Sequence, residues 1–161
     1  MGSCLRLGSP TLLLLGGTLL AAGKPSGTIL GRVVSVAEGD LLTVVDNSYG
    51  QHKVRLYGVD APEPRQRYGT LAREELYDKV SGKSVRVEVA SIDRHGRQFG
   101  RVYLGDRYIN LEMVEEGLAW RFPPSDKGGE FIAAQNDAIA RKRGLWADAN
   151  PVPPWKFRGE K

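Results

Sequence analysis

The chain has 161 residues, of which 41% are hydrophobic and 26% are charged. This composition excludes a disordered segment. The length is enough for one domain with a buried core, but hardly for two. The formal net charge of +4 is compatible with an anionic partner without identifying one.

The N-terminal stretch differs from the rest of the chain. Arg6 is the only charged side chain before Lys24, and residues 11–22 form an uncharged run dominated by leucine. Since small residues follow this run up to Gly23, we interpret residues 1–23 as a secretory signal peptide and expect a secreted or periplasmic protein. An uncleaved anchor is the weaker alternative because the run is shorter than the ~20 residues of a membrane span. A buried N-terminal helix is weaker still, since glycines interrupt any amphipathic period.

The only cysteine of the chain, Cys4, lies in this leader. The remaining protein therefore has no disulfide and no thiol chemistry. We expect no stable membrane association once the leader is cleaved, and a monomer, which is the default for so small a domain.

The first half of the remaining chain alternates as β-strands do. Valine-rich runs between turn residues predict an antiparallel meander of three strands from Gly27 onward. The two turns of this meander fall at residues 38–40 and 47–50, and its third strand falls at residues 51–59. The period then changes, because Ala72, Leu76 and Val80 recur every fourth residue, as in an amphipathic helix that Gly82 ends.

The second half of the chain predicts two more strands and two helices. Valines alternate with other residues over 85–90, and a further strand over 99–104 follows a turn at 94–97. Asn110 is typical of a helix N-cap, and the helix after it would turn three side chains to the core: Leu111, Val114 and Leu118. A final helix runs from about residue 130 to residue 143, and the proline-rich end of the chain is predicted to be extended.

These elements predict an α+β fold. A short, strongly coiled meander closes most easily as a five-stranded OB-type β-barrel, here with three helices and a preceding signal peptide. The pattern alone leaves a small open sheet almost equally compatible. We expect the domain to span residues 24–149 and a proline-rich tail to span residues 150–161.

A stiff acidic corner follows the third predicted strand. Asp60 and Glu63 lie just past the strand end, and Pro62 between them fixes its own φ and restricts the residue before it. Arg55 lies upstream on the same strand, and Asp40 comes from the turn between the first two strands. Singly, such residues are ordinary turn carboxylates and an ordinary ion-pairing arginine.

Together these residues have the chemistry of a metal and phosphate site. Two carboxylates and a backbone carbonyl are hard oxygen donors, which suit Ca²⁺ better than zinc. A nitrogen or sulfur metal site is disfavoured, since His52 and His95 are the only histidines. A metal beside arginines can stabilise the charge of a phosphoryl transition state, and a free carboxylate can align or deprotonate a water.

From residue 31 to residue 146 the chain resembles staphylococcal nuclease and its bacterial thermonuclease-like relatives. Several motifs carry this resemblance in the same order along the chain, at residues 38–40, 54–63, 93–97, 110–119 and 144–146. The ending Asn150-Pro151-Val152-Pro153-Pro154-Trp155 also resembles the tail of secreted bacterial members.

The resemblance implies a role for each matching residue. Asp40 and Asp60 match carboxylate ligands of calcium, and the carbonyl of Ala61 completes the protein's share of the ligands. Glu63 matches the residue usually assigned as general base. Two arginines, Arg55 and Arg97, match those that bind the scissile phosphate. The family activity would then be calcium-dependent hydrolysis of DNA, RNA or both with little sequence specificity, giving 3′-phosphate products.

The chain also departs from the family pattern. Leu41 stands where threonine is common, Glu38 where aspartate is common, and His95 where tyrosine is common. After Trp120 the sequence lacks the tyrosines that contact the nucleotide in the best-known member. Trp120 or Phe122 could stack on a base instead, although core packing is the favoured interpretation of Trp120.

Two other functions stay open at this point. A non-catalytic OB-type module that binds nucleic acid would not need an acidic cluster beside a polyanion. A calcium-binding structural module of the cell envelope would leave the arginines near the metal without a purpose. We therefore expect a nucleic acid substrate rather than a nucleic acid ligand.

Overall fold

The computed structural model describes residues 27–125 and 129–159. The predicted signal peptide, residues 1–23, lies outside the described residues. Within the described ranges the chain forms these strands: β1 (Thr28–Glu38), β2 (Leu41–Asp46), β3 (Gln51–Leu56), β4 (Val59–Asp60), β5 (Ser84–Ile92), β6 (Gln98–Leu104), β7 (Arg107–Tyr108) and β8 (Trp120–Arg121). The helices are α1 (Gly69–Val80), α2 (Ile109–Glu115), α3 (Glu130–Ala140) and α4 (Pro154–Gly159), with a 3₁₀ helix at Gly144–Ala147.

The five long strands form a closed barrel. They follow the order β3-β2-β1-β5-β6 with antiparallel neighbours, and a parallel pairing of β3 with β6 closes the barrel. Two-residue strands form the rest: β7 extends the edge of β6, and β4 pairs with β8. The α+β fold with a five-stranded OB-type barrel is therefore confirmed.

The barrel interior is filled by the valines of alternating positions. The fully buried ones come from every long strand: Val33, Val44, Val54, Val87 and Val102. Helix α1 packs on the barrel through Ala72, Leu76 and Val80, each fully buried, as the four-residue spacing predicts. The core therefore lies between the barrel, α1 and α2.

The third strand is shorter than predicted. Residues 51–59 divide into β3 and β4 because the chain turns at Gly58, whose φ of 84° lies in the left-handed region. Valine and tyrosine around this position favour a continuous strand, and the turn is recognisable only from the glycine. The break matters because it places Asp60 on a separate ladder with Trp120.

Asn110 closes the barrel rather than capping a helix. Tyr108 occupies the N-cap of α2, and Asn110 lies within the helix, fully buried. Its Oδ1 accepts a hydrogen bond from Val102 N at 2.9 Å, while Nδ2 donates to Tyr57 O at 2.9 Å and to Gly100 O at 3.0 Å. The prediction of an N-cap was wrong because these tertiary partners satisfy the side chain that a cap would otherwise use.

Part of the tail that was predicted to be extended, Pro154–Gly159, is helical. Pro154 begins the short helix α4, a position where its missing N–H removes no helical hydrogen bond. Helix α3 ends at Ala140, three residues before the predicted end, and the 3₁₀ helix follows. None of the helices in residues 27–125 and 129–159 is long and apolar enough to cross a membrane.

Replacement of Asn110 by alanine tests its role in closure. In the Asn110→Ala variant, the N–H of Val102 and the carbonyl of Tyr57 each lose the hydrogen-bond partner that Asn110 supplies. We expect the free energy of unfolding to fall by about 2–4 kcal/mol. Urea denaturation followed by circular dichroism measures the change. Asn136→Ala, on the exposed face of α3, is the control and is expected to stay within about 0.5 kcal/mol of the parent.

Candidate active site

Strand pairing brings the turn after β1 against the end of β3. Leu41 pairs with Arg55, and the N–H of Leu56 donates to the carbonyl of Asp40 at 2.8 Å. Gly39 makes the approach possible, since a Cβ there would lie 2.8 Å from the Cβ of Ala61 and 2.6 Å from that of Ala72. The barrel and helix α1 therefore hold the turn directly on the corner that follows Asp60.

Two carboxylates meet at this corner away from solvent. Asp40 is 2% exposed and Asp60 is 4% exposed. The N–H of Ala61 donates to Oδ2 of Asp40 at 3.3 Å. Burial raises the pKa of Asp40 to about 7; Arg55 opposes this rise and the charge of Asp60 adds to it. The corner thus concentrates negative charge that a cation would stabilise.

The donors at the corner fit calcium, the ion that the family resemblance implies. Two buried carboxylates are hard oxygen donors, and the resemblance adds the carbonyl of Ala61, the residue after Asp60. In the part of the chain that the structure describes, no group of three or more His, Cys, Asp or Glu side chains could hold a metal ion. The candidate ligands among residues 27–125 and 129–159 are thus two carboxylates and a backbone carbonyl, and water and substrate would supply most of the six to eight oxygen positions of Ca²⁺.

Arg55 lies beside Asp40 on the barrel side of the corner. Its Nη2 donates to Oε2 of Glu38 at 2.8 Å and lies 3.6 Å from Oδ1 of Asp40. Among the side chains that the structure describes, the Nε of Arg55 is buried without a hydrogen-bond partner. Glu38 thus orients the guanidinium, and one buried donor of the group is left for an acceptor that the described residues do not supply.

Glu63 lies at the edge of the same corner. Its backbone is fixed by Gln66, whose Oε1 accepts from Glu63 N at 3.1 Å and whose N–H donates to the Glu63 carbonyl at 2.8 Å. The carboxylate is 21% exposed and accepts a hydrogen bond from Arg158 at 2.7 Å. Glu63 is therefore joined to Asp60 by Arg158, which also pairs with Asp60.

Arg97 lies in the turn between β5 and β6, and its ion pair is with Asp93 rather than with a residue of the corner. Its Nε pairs with Oδ2 of Asp93 at 2.7 Å, and Oδ1 of Asp93 accepts the N–H groups of His95 and Arg97. Since Gln98 pairs with Val54 where the barrel closes, the turn borders the strand that carries Arg55. The structure thus brings together five of the six predicted site residues, and a phosphate-binding role for Arg97 stays a prediction.

Sequence reasoning missed Arg158. Its guanidinium donates through Nη1 to Oδ1 of Asp60 at 3.1 Å and through Nη2 to Oδ2 at 2.7 Å. Residues 60 and 158 are far apart in the sequence, and no spacing connects them. Trp120, which pairs with Asp60, packs against two other tryptophans. Its ring lies 4.4 Å from that of Trp146 and 5.7 Å from that of Trp155.

Comparisons with known proteins identify relatives of this chain. The sequence profile of the family described as staphylococcal nuclease homologue matches residues 53–148. An uncharacterized endonuclease of Escherichia coli O157:H7 is 41% identical over 134 residues, which cover 83% of this chain and 87% of that protein. An uncharacterized endonuclease of Haemophilus influenzae is 38% identical over 148 residues, covering 92% and 82% respectively.

Plant proteins match over a smaller share of their own length. The staphylococcal-like nuclease CAN1 of Arabidopsis thaliana is 38% identical over 109 residues, which cover 68% of this chain but 34% of that protein. The family profile covers more than half of the chain, and the two bacterial relatives are covered over most of their length. With the closed barrel and its acidic corner, these matches show that the chain belongs to the family of staphylococcal nuclease homologues.

Proposed function

We propose that this protein is a calcium-dependent endonuclease that hydrolyses phosphodiester bonds of DNA, RNA or both, leaving 3′-phosphate ends. One observation carries the proposal: the buried, partnerless Nε of Arg55 lies on a guanidinium beside the buried carboxylate of Asp40, which shares the corner with Asp60. A group of this kind is suited to a ligand that carries both a cation and anionic oxygens. A metal-bound phosphodiester has both.

The names of the relatives support nucleic acid as the substrate. The bacterial proteins are named as endonucleases and the plant proteins as staphylococcal-like nucleases. Fold alone would not carry this step, because OB-type barrels serve many functions. The acidic corner adds the argument, since carboxylates beside a polyanion weaken binding unless a cation or a reaction requires them.

In the proposed reaction Asp40, Asp60 and the carbonyl of Ala61 would hold the ion. Bound calcium supplies Lewis acidity at the phosphate and offsets the charge of the transition state. The carboxylate of Glu63 accepts the proton of the attacking water, which its partial exposure allows. Water attacks phosphorus in line while the bond to the 5′ oxygen breaks and that oxygen takes up a proton from solvent, so the phosphate stays on the 3′ oxygen.

Two arginines act on the phosphate in this proposal. Arg55 donates to an oxygen of the scissile phosphate while Glu38 keeps the guanidinium in place. Arg97 reaches the same group after it leaves Asp93. These residues recognise charge and phosphate geometry rather than base edges, and we therefore expect little sequence specificity.

We further propose that the protein is secreted or periplasmic, from the leader predicted over residues 1–23. The mature polypeptide would begin near Lys24 and include the nuclease domain, residues 24–149, and the tail, residues 150–161. N-terminal sequencing of protein recovered from the medium or periplasm is expected to start near Lys24. A polypeptide that keeps residues 1–23 in the membrane fraction would contradict cleavage.

Glu63→Gln tests the general base. The purified wild-type protein is expected to degrade single- or double-stranded nucleic acid with Ca²⁺ and to stop with a chelator. The variant is expected to lose at least about 100-fold in kcat because it cannot accept the proton. Glu74→Gln, on the exposed side of α1, should keep the parent rate. A gel shift without degradation by folded wild-type protein would instead favour a non-catalytic binding module.

Conservative arginine replacements separate Arg55 from Arg97. Arg55→Lys removes a planar, half-buried donor set, and we expect kcat to fall about 100-fold or more and the free energy of unfolding to fall by about 1–2 kcal/mol. Arg97→Lys is expected to lower kcat while unfolding changes by less than about 0.5 kcal/mol, because its ion pair with Asp93 is more exposed. Steady-state kinetics and thermal denaturation measure both. Unchanged kinetics in Arg97→Lys would make Arg97 a turn residue only.

A further inference from the structure

The last described residues of the chain lie across the corner. We name residues 148–159 the C-terminal strap. Asp148 accepts a hydrogen bond from Nη1 of Arg67 at 2.7 Å, and the carbonyl of Val152 accepts one from Nε2 of Gln66. Both partners belong to the loop that follows Glu63. The strap is therefore fastened to the loop that carries the proposed general base.

Aromatic contacts extend the strap over the neighbour of Asp60. The ring of Trp155 lies 5.7 Å from that of Trp120 and 6.5 Å from that of Phe122, edge to face in both cases. Trp120 is the residue that pairs with Asp60 in the ladder of β4 and β8. The strap thus covers the strand beside the proposed metal ligand as well as the loop after it.

Arg158 completes the coverage with a positive charge. Both oxygens of Asp60 accept hydrogen bonds from its guanidinium, at 3.1 and 2.7 Å, and Oε1 of Glu63 accepts a third at 2.7 Å. One side chain of the strap therefore engages the proposed calcium ligand and the proposed general base at once. A two-pronged arginine–carboxylate contact is among the stronger polar contacts in proteins.

The guanidinium and a divalent cation oppose each other at Asp60. Each would be stabilised by the same carboxylate charge, and two cations that share it repel one another. Glu63 adds to this competition, because its hydrogen bond with Arg158 uses a lone pair that is then not available to a water molecule. Full occupancy by the ion therefore requires Arg158 to withdraw.

The strap leaves space beneath it, and two of its side chains are partly exposed. A cavity of about 210 Å³ lies beneath it, between Pro62 and Tyr68 on one side and Pro151 and Phe157 on the other. The side chain of Arg158 is 39% exposed, and Trp155 is 37% exposed. An imperfectly packed, partly exposed segment belongs to the part of a fold that opens at low cost.

We propose that the C-terminal strap is an autoinhibitory element in which Arg158 competes with the divalent cation for Asp60. The inference rests on the proposed function. Trp155 and Arg158 are three residues apart on α4, so they lift together. Lifting frees Asp60 and Glu63 and uncovers Trp120 and Phe122. Because coupling between two sites is reciprocal, calcium weakens docking of the strap by the factor by which the strap weakens calcium binding.

Calcium binding measured without nucleic acid tests the competition. Isothermal titration of the wild-type protein is compared with Arg158→Gln and with Lys156→Gln. Lys156 is the matched control, since it lies on the same helix with the same charge and its side chain is exposed. We expect Arg158→Gln to bind Ca²⁺ about tenfold more tightly than the wild type, the loss of charge-assisted hydrogen bonds being the reason. Lys156→Gln is expected to keep the wild-type Kd.

A second readout follows the strap itself. Tryptophan fluorescence of the wild type should change on calcium addition as Trp155 leaves Trp120, and Trp155→Phe should remove most of that change. Equal calcium affinity of wild type and Arg158→Gln would overturn the inference and leave the proposed function intact. Failure of all variants to bind Ca²⁺ would overturn the calcium part of the proposed function, and the inference with it.

Discussion

The parallel pairing of β3 with β6 is the constraint on which the site depends. The other neighbouring strands of the barrel are antiparallel. The parallel pair joins the two ends of the strand order, closes the cylinder and ends at Leu56. Asn110 continues the closure beyond the last strand pair by bonding to Tyr57, Gly100 and Val102. The acidic corner begins directly after this closure. The closure therefore fixes where the corner begins.

Charge balance at the corner explains contacts that the fold alone does not require. Asp40 and Asp60 are brought together out of solvent, where like charges are costly. Arg55 offsets part of this charge from the barrel side, and Arg158 offsets part from the chain end. Glu38 in turn forms an ion pair with Arg55. The corner is a set of linked charges in which a change of one cation alters the partners of the others.

The regular elements were predictable because side chains that face the core recur with the period of a helix or of a strand. Helix α1 follows from Ala72, Leu76 and Val80, and the strands follow from alternating valines. The corner was predictable because its residues are close in sequence and proline stiffens it. The N-cap prediction for Asn110 failed because local patterns do not reveal tertiary partners. Contacts of Arg158 were unpredictable for the same reason, since only the folded chain brings its end to Asp60.

Barrel closure also governs when the corner comes into existence. Val54 and Gln98 belong to distant parts of the chain, and non-local pairings of this kind form slowly. Before they form, the local pairing of β2 with β3 holds the turn at Asp40 near Leu56, but the two aspartates are not yet buried together in a packed barrel. The unfolded chain therefore has no concentrated acidic corner. An ion that binds only the closed barrel adds its binding free energy to the free energy of unfolding, so the chemistry of the corner also protects the fold that creates it.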